Sequence, residues 1–118
     1  MRTVDLRSDT TTLPTDEMRQ AIAESELGDD VFQDDPTINK LQDLAAQRMG
    51  KEAALLVPSG TMANLASILT HCGRGAEVIL GNRAHTYKYE KGGISAYGGI
   101  HSTQIPNQDD GTMQLEDI

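Results

Sequence analysis

A short apolar run that breaks at proline and glycine, then resumes at helical spacing, constrains this chain more than any other feature. It reads Leu55-Leu56-Val57-Pro58-Ser59-Gly60-Thr61-Met62-Ala63-Asn64-Leu65. The pattern predicts strand, tight turn, helix, with Ala53–Val57 apolar on both faces as in a parallel sheet. The turn sets Ser59, Gly60 and Thr61 at the start of the helix. The first N–H groups there lack intrahelical partners, and the helix dipole makes that end partly positive. Gly60 lets the backbone approach a ligand closely, and a hydroxyl flanks it on each side. Such a corner suits a phosphate group. Ser59 or Thr61 can equally be a plain helix cap.

Downstream, Met62, Leu65, Ala66, Ile68 and Leu69 continue the helix to about His71, and Gly73-Arg74-Gly75 breaks it. Glu77–Leu80 reads as a second strand, which completes a right-handed βαβ outline with the first. The segment Gly81–Tyr87 then leaves the carboxyl end of a strand, where open α/β sheets place ligands. Tyr87–Lys91 has room for a short helix. Gly92-Gly93 and Gly98-Gly99 bracket a flexible or tightly packed stretch. Ile100–Ile105 alternates apolar and polar residues and predicts a third strand. Pro106–Gly111 is rich in turn residues, and Leu115–Ile118 has the look of a helix opening.

Upstream, residues 3–14 form a polar arm with few apolar side chains, either disordered or laid against another surface. Thr15 is placed to cap a helix whose inward face is Met18, Ala21 and Ile22, with Gly28 to end it. Asp29, Asp30, Asp34 and Asp35 crowd four carboxylates into a short stretch. No histidine accompanies them, and their spacing is not that of a calcium loop, so a solvated loop is the simpler reading. Asp35 followed by Pro36 is a strong helix start, Ile38, Leu41, Leu44, Ala45 and Met49 recur at helical spacing, and Gly50 stops the run.

The 118 residues carry a net charge of −8 with 37% hydrophobic and 3% aromatic side chains. That charge disfavours nucleic acid, whose phosphates need clustered Lys and Arg, and offers nothing to anionic lipid. No apolar run is long enough to cross a bilayer, and the N-terminus lacks an apolar signal core. A soluble, cytoplasmic chain is expected. The single Cys72 cannot form an internal disulfide and reads as a small packed thiol.

His85 is the most informative single residue. An imidazole in a strand-end loop can stack on a flat ring, shuttle a proton or cap a helix, and an isolated one is commonly structural. If both loops open on one sheet edge, residues 59–61 can hold a phosphate while His85 covers an attached ring. A Ser59–His85 nucleophilic pair lacks the glycine that a nucleophile elbow needs two positions before its serine. His71, His85 and His101 show no metal-ligand spacing. Tyr87 and Tyr89 can donate into a site or simply pack.

Several of these pieces, taken in order, resemble one family. They are Val4–Thr10, Gly28–Val31, Asp34–Thr37, Gly50–Ala54, Pro58–Met62, Gly75–Leu80, His85, Glu90, Gly92-Gly93, Gly99-Ile100 and Asp110–Thr112. Their order and spacing are similar to those of low-specificity L-threonine aldolases. The resemblance covers essentially the whole chain. It implies pyridoxal 5'-phosphate on the aspartate-aminotransferase-like fold, and cleavage of L-threonine or L-allo-threonine to glycine and acetaldehyde. Ser59, Gly60 and Thr61 would hold the cofactor phosphate. His85 would stack on the pyridine ring, near the substrate hydroxyl, as the catalytic candidate. Ser8, on the arm, would contact the substrate carboxylate. No metal is implied, and the family is usually homotetrameric.

The resemblance is to the amino-terminal third of such an enzyme. The family's Schiff-base lysine lies beyond residue 118, and Lys40, Lys51, Lys88 and Lys91 lack its context. The chain alone is therefore expected not to turn over threonine. The implied fold class is α/β, an incomplete large domain of βαβ units in a mostly parallel sheet, preceded by an extended arm and two helices. The expected divisions are an arm at 1–15, a helical segment at 16–50, and the first part of the cofactor-binding domain at 51–118. Another cofactor-dependent lyase of the same fold, or a non-catalytic interaction piece, are the alternatives. Val31-Phe32-Gln33-Asp34 departs from the family's usual Val-Tyr-Gly-Glu or Val-Tyr-Gly-Asp, so position 33 gives up glycine's freedom at positive φ.

Overall fold

Helix caps written in the sequence fix most of the first half. In this computed structural model, which describes residues 4–118, the chain divides into two compact units at Leu56–Val57. In the first unit, Ser8 caps a 3-10 turn at Asp9–Thr11. Thr15 caps α1 (Asp16–Glu24), its side chain accepting from the Met18 N–H at 3.3 Å. The helix ends at Glu24, before Gly28. Ser25 turns extended, and its hydroxyl donates to the Ile22 carbonyl instead. The face expected to turn inward is exposed, with Ile22 at 68%. The reason is that this unit provides little core to receive it: Ala46 is its one buried apolar residue among those described.

Gly28 serves the loop that follows. Its N–H donates to Asp35 Oδ2 at 3.0 Å, and a Cβ there would overlap the Asp34 backbone. Asp35 Oδ1 accepts from the Ile38 N–H at 2.8 Å, so one carboxylate caps α2 (Pro36–Met49) and closes the loop. Those two N–H groups, Ile38 first and then Gly28, hold the Asp35 carboxyl below the usual carboxylate range. Gly50 ends α2 in the left-handed conformation at φ 60°.

Residues 53–57 do not form the expected strand. A strand exists only where a second backbone completes its ladder. Here the Leu56 N–H bonds to the Gln42 side chain at 2.8 Å, and Leu55 and Leu56 stay exposed. They border a shallow apolar groove with Leu41, Ala45 and Ala54.

The second unit holds α3 (Gly60–His71), β1 (Glu77–Gly81), α4 (His85–Lys88), α5 (Gly93–Gly98) and β2 (His101–Ile105). β1 and β2 pair in parallel, Glu77 opposite His101 through Gly81 opposite Ile105. The α/β character is thus present, but the parallel pair is one strand later than expected. Its crossover carries α4 and α5, not α3. The core is Ile94, Ile100 and Ile105, with α5 packed between α3 and β2. Gly98 makes that packing close: a Cβ there would press on Leu69 and Ile100. The chain ends in a 3-10 turn at Leu115–Asp117. No helix among the described residues is long and apolar enough to cross a membrane.

Candidate active site

The start of α3 is built by its first four residues. Ser59 is extended and caps the helix, its Oγ accepting from the Met62 N–H at 3.1 Å. The cap satisfies the third helical N–H only. Among the described residues the N–H groups of Gly60 and Thr61 meet no acceptor. The Ser59 hydroxyl hydrogen is also uncommitted, since the cap uses the oxygen's lone pair. Apart from its chain neighbours and its own helix backbone, nothing among the described residues lies within 4 Å of where a Gly60 Cβ would stand. Capping and anion binding are therefore compatible at this corner: one donor is used inside the helix and the others have no partner among the described residues.

His85 opens α4, four residues after β1 ends. Its Nδ1 lies 2.8 Å from Glu90 Oε1. The same oxygen accepts from Asn64 Nδ2 at 2.6 Å. The Glu90 side chain is only 3% exposed, whereas that of His85 is 62% exposed. Asn64 stands on α3, three and four residues past Thr61 and Gly60. That spacing puts the three on one helix face, about 4.5 and 6 Å apart along the axis. The bridge Asn64–Glu90–His85 thus ties the imidazole to α3, the helix whose first N–H groups are uncommitted. The Tyr89 ring leans on His85, centroids 5.3 Å apart and tilted by 48°.

The loop that delivers His85 is braced from the neighbouring strand end. The Asn82 N–H donates to the Ile105 carbonyl at 2.8 Å. Asn107 accepts from the Arg83 N–H at 2.8 Å and gives its own N–H to Asn82 Oδ1 at 3.1 Å. Gly81 is required beside it, because a Cβ would overlap the Asn107 amide.

Ser8 belongs to the first unit. Its hydroxyl bonds only locally, donating to Asp9 and accepting from Thr10. Arg7 is paired with Asp5 at 2.6 Å. Within the second unit His85 is tied through Glu90 to Asn64 of α3. Asn64 and Glu90, which hold His85, and Asn107, which braces its loop, are the residues that reading the sequence missed. Glu90 was in view only as a point of family resemblance. Lys40, Lys51, Lys88 and Lys91 are all exposed. Tyr87 and Tyr89 are exposed too, so neither is a core packing residue. Among the described residues, no three His, Cys, Asp or Glu side chains gather as a metal site would require.

A parallel strand pair with helices against it defines an α/β protein. Comparison with known proteins takes this further: the beta-eliminating lyase family matches residues 5–118, and the chain belongs to it. It is 57% identical over 119 residues to low-specificity L-threonine aldolase 1 of Arabidopsis thaliana, covering 100% of this chain and 33% of that protein. It is 49% identical over 115 residues to the low specificity L-threonine aldolase of Escherichia coli K12, covering 98% and 34%. The Saccharomyces cerevisiae enzyme of that name is 37% identical over 115 residues, covering 97% and 30%. The chain spans about a third of the length of the curated relatives it matches.

Proposed function

We propose that this chain is the part of a cytoplasmic, pyridoxal phosphate-dependent threonine aldolase that seats the cofactor phosphate and presents an imidazole to the ring and substrate. The observation that carries the reading is the Asn64–Glu90–His85 bridge, which links α3, the helix that Ser59 caps, to the imidazole. The names of relatives at 37–57% identity support the reaction. The donor set fits the cofactor: two uncommitted N–H groups and the hydroxyls of Ser59 and Thr61 suit a phosphate monoester. An exposed imidazole suits the face of a flat ring.

In this reading Ser59, Gly60 and Thr61 hold the phosphate. Positive charge at the helix end and fixed N–H donors bind it without reorganisation. His85 lies over the ring and near the substrate hydroxyl. Ser8 contacts the substrate carboxylate, and the whole protein assembles as a homotetramer. Bound there, the cofactor supplies an electron sink for the pair left on Cα when the Cα–Cβ bond breaks. The α/β unit is then the first portion of that fold's large domain, with an arm at 1–15, a helical segment at 16–50 and the cofactor-binding portion from 51 onward.

The experiment is direct. Protein expressed from the complete gene, loaded with pyridoxal phosphate, is given L-threonine and L-allo-threonine, and acetaldehyde and glycine are measured. Release of both in equal amounts is expected. Absence of both products, with cofactor bound, would reject the reading. The 118-residue chain alone is expected to release neither, because by resemblance the covalent lysine is not among its residues.

A further inference from the structure

We propose that Glu90 is a positioning residue of this site. It fixes the His85 imidazole with its proton on Nδ1 and leaves Nε2 as the atom that takes the hydroxyl proton of a β-hydroxy amino acid. The proposal rests on the reading above for its substrate, and on geometry for the rest.

A carboxylate is an acceptor only. Glu90 Oε1 receives Asn64 Nδ2 at 2.6 Å and faces His85 Nδ1 at 2.8 Å, so the ring nitrogen must bring the hydrogen. In a neutral imidazole that leaves the lone pair on Nε2. A free histidine side chain favours the opposite tautomer, so the carboxylate reverses the intrinsic preference. The arrangement is costly to keep unless it serves something. A carboxylate 3% exposed loses its hydration, and an apolar side chain would pack in that place without the penalty. Its partners come from two elements, Asn64 on α3 and His85 at the head of α4, so the carboxylate is held from both sides.

The backbone also tightens the pair. The Tyr89 N–H donates to the His85 carbonyl at 2.8 Å, closing the single turn of α4 just before Glu90. Tyr89 leans on the imidazole and limits its rotation. With Nδ1 on the buried Glu90, Nε2 of the 62% exposed ring has no hydrogen-bond partner among the described residues. A base oriented by a third group is the general form of an activated proton acceptor. The step balances. The hydroxyl proton passes to Nε2, the Cβ–O bond becomes a carbonyl, and the Cα–Cβ bond breaks. Its electron pair remains with the glycine fragment, and a proton is returned to Cα from Nε2 or from water.

The test reads the tautomer first and the rate second. Protein expressed from the complete gene, with histidines labelled in both ring nitrogens, is studied by long-range nitrogen–proton NMR without cofactor. His85 is expected to carry its proton on Nδ1 in the unaltered protein. A proton on Nε2 there would overturn the proposal without any variant. In Glu90→Ala, checked for folding by its amide spectrum, the proton is expected to move to Nε2. With cofactor, kcat for threonine cleavage should fall on the order of 100-fold while KM changes little. A folded Glu90→Ala with unchanged tautomer, or with unchanged kcat, would overturn it as well. The Nδ1–H tautomer in a cofactor-loaded protein that cleaves no β-hydroxy amino acid would instead reject the aldolase reading. The proton-acceptor role would fall with it, and the positioning of His85 by Glu90 would stand.

Discussion

Gln33 has φ 60° and ψ 29°, a left-handed conformation that glycine adopts at no steric cost. It ends the 3-10 turn at Asp30–Phe32, and its carbonyl accepts from Asn39 Nδ2 at 2.7 Å, a bond that needs no side chain at position 33. The loop therefore keeps its shape with a strained residue where the family's usual residue is glycine. Relief of about 1–2 kcal/mol of strain, less about 0.5–1 kcal/mol of added chain entropy, gives Gln33→Gly a net gain of about 0.5 kcal/mol. A higher urea midpoint for the variant checks this. His85 could be picked out from sequence because strand, short loop and imidazole are neighbours in the chain. Glu90 could not be assigned a role that way, because its meaning depends on Asn64, a residue on another element that only folding brings within 2.6 Å.

At the scale of elements, the starts of α1, α2 and α3 were all legible, since a cap is chemistry within three or four residues. The strand expected at 53–57 was not, because a strand is a relation between two backbones and apolar content cannot supply the second. For the same reason the residue pattern points to α3 as the crossover, whereas the crossover of the observed strand pair carries α4 and α5. Ser59 does two things in one place, and substitution separates them. Ser59→Ala should cost about 1 kcal/mol of stability through the lost cap and should also weaken cofactor binding. Thr61→Val should weaken binding with little effect on stability. Thermal unfolding beside a cofactor titration of each variant distinguishes the two. The start of α2 carries a pH signature. The folded Asp35 carboxyl sits below its ordinary value, so in acid the unfolded chain binds the proton more readily than the folded one. The stabilisation is complete above the ordinary carboxylate range and is lost as the pH falls through the lowered value. The gap in urea midpoint between the protein and Asp35→Ala should be wide at neutral pH and should close in strong acid.

Across the whole molecule, apolar surface is abundant. Leu6, Leu13, Ile22, Leu27, Val31, Leu55, Tyr97 and Leu115 are all more than two-thirds exposed. Exposed apolar side chains in this number favour association of the isolated chain. The 118-residue chain by itself should elute from gel filtration well above its 12.8 kDa, and a sharp monomer peak would count against that. What could be read at this scale was the class: alternating helical and apolar segments point to an α/β chain, and the ordered motifs, through their resemblance to threonine aldolases, to a lyase. The account as a whole requires that the helix start at residues 59–61 and the imidazole at residue 85 serve one molecule of cofactor. Titrating pyridoxal phosphate into nitrogen-labelled protein from the complete gene, while following the Gly60 and Thr61 amides and the His85 ring, tests this most directly. The account predicts that all three signals move together and saturate at one equivalent. Amides that respond while the His85 ring stays fixed, or a ring that responds at a different stoichiometry, would contradict it.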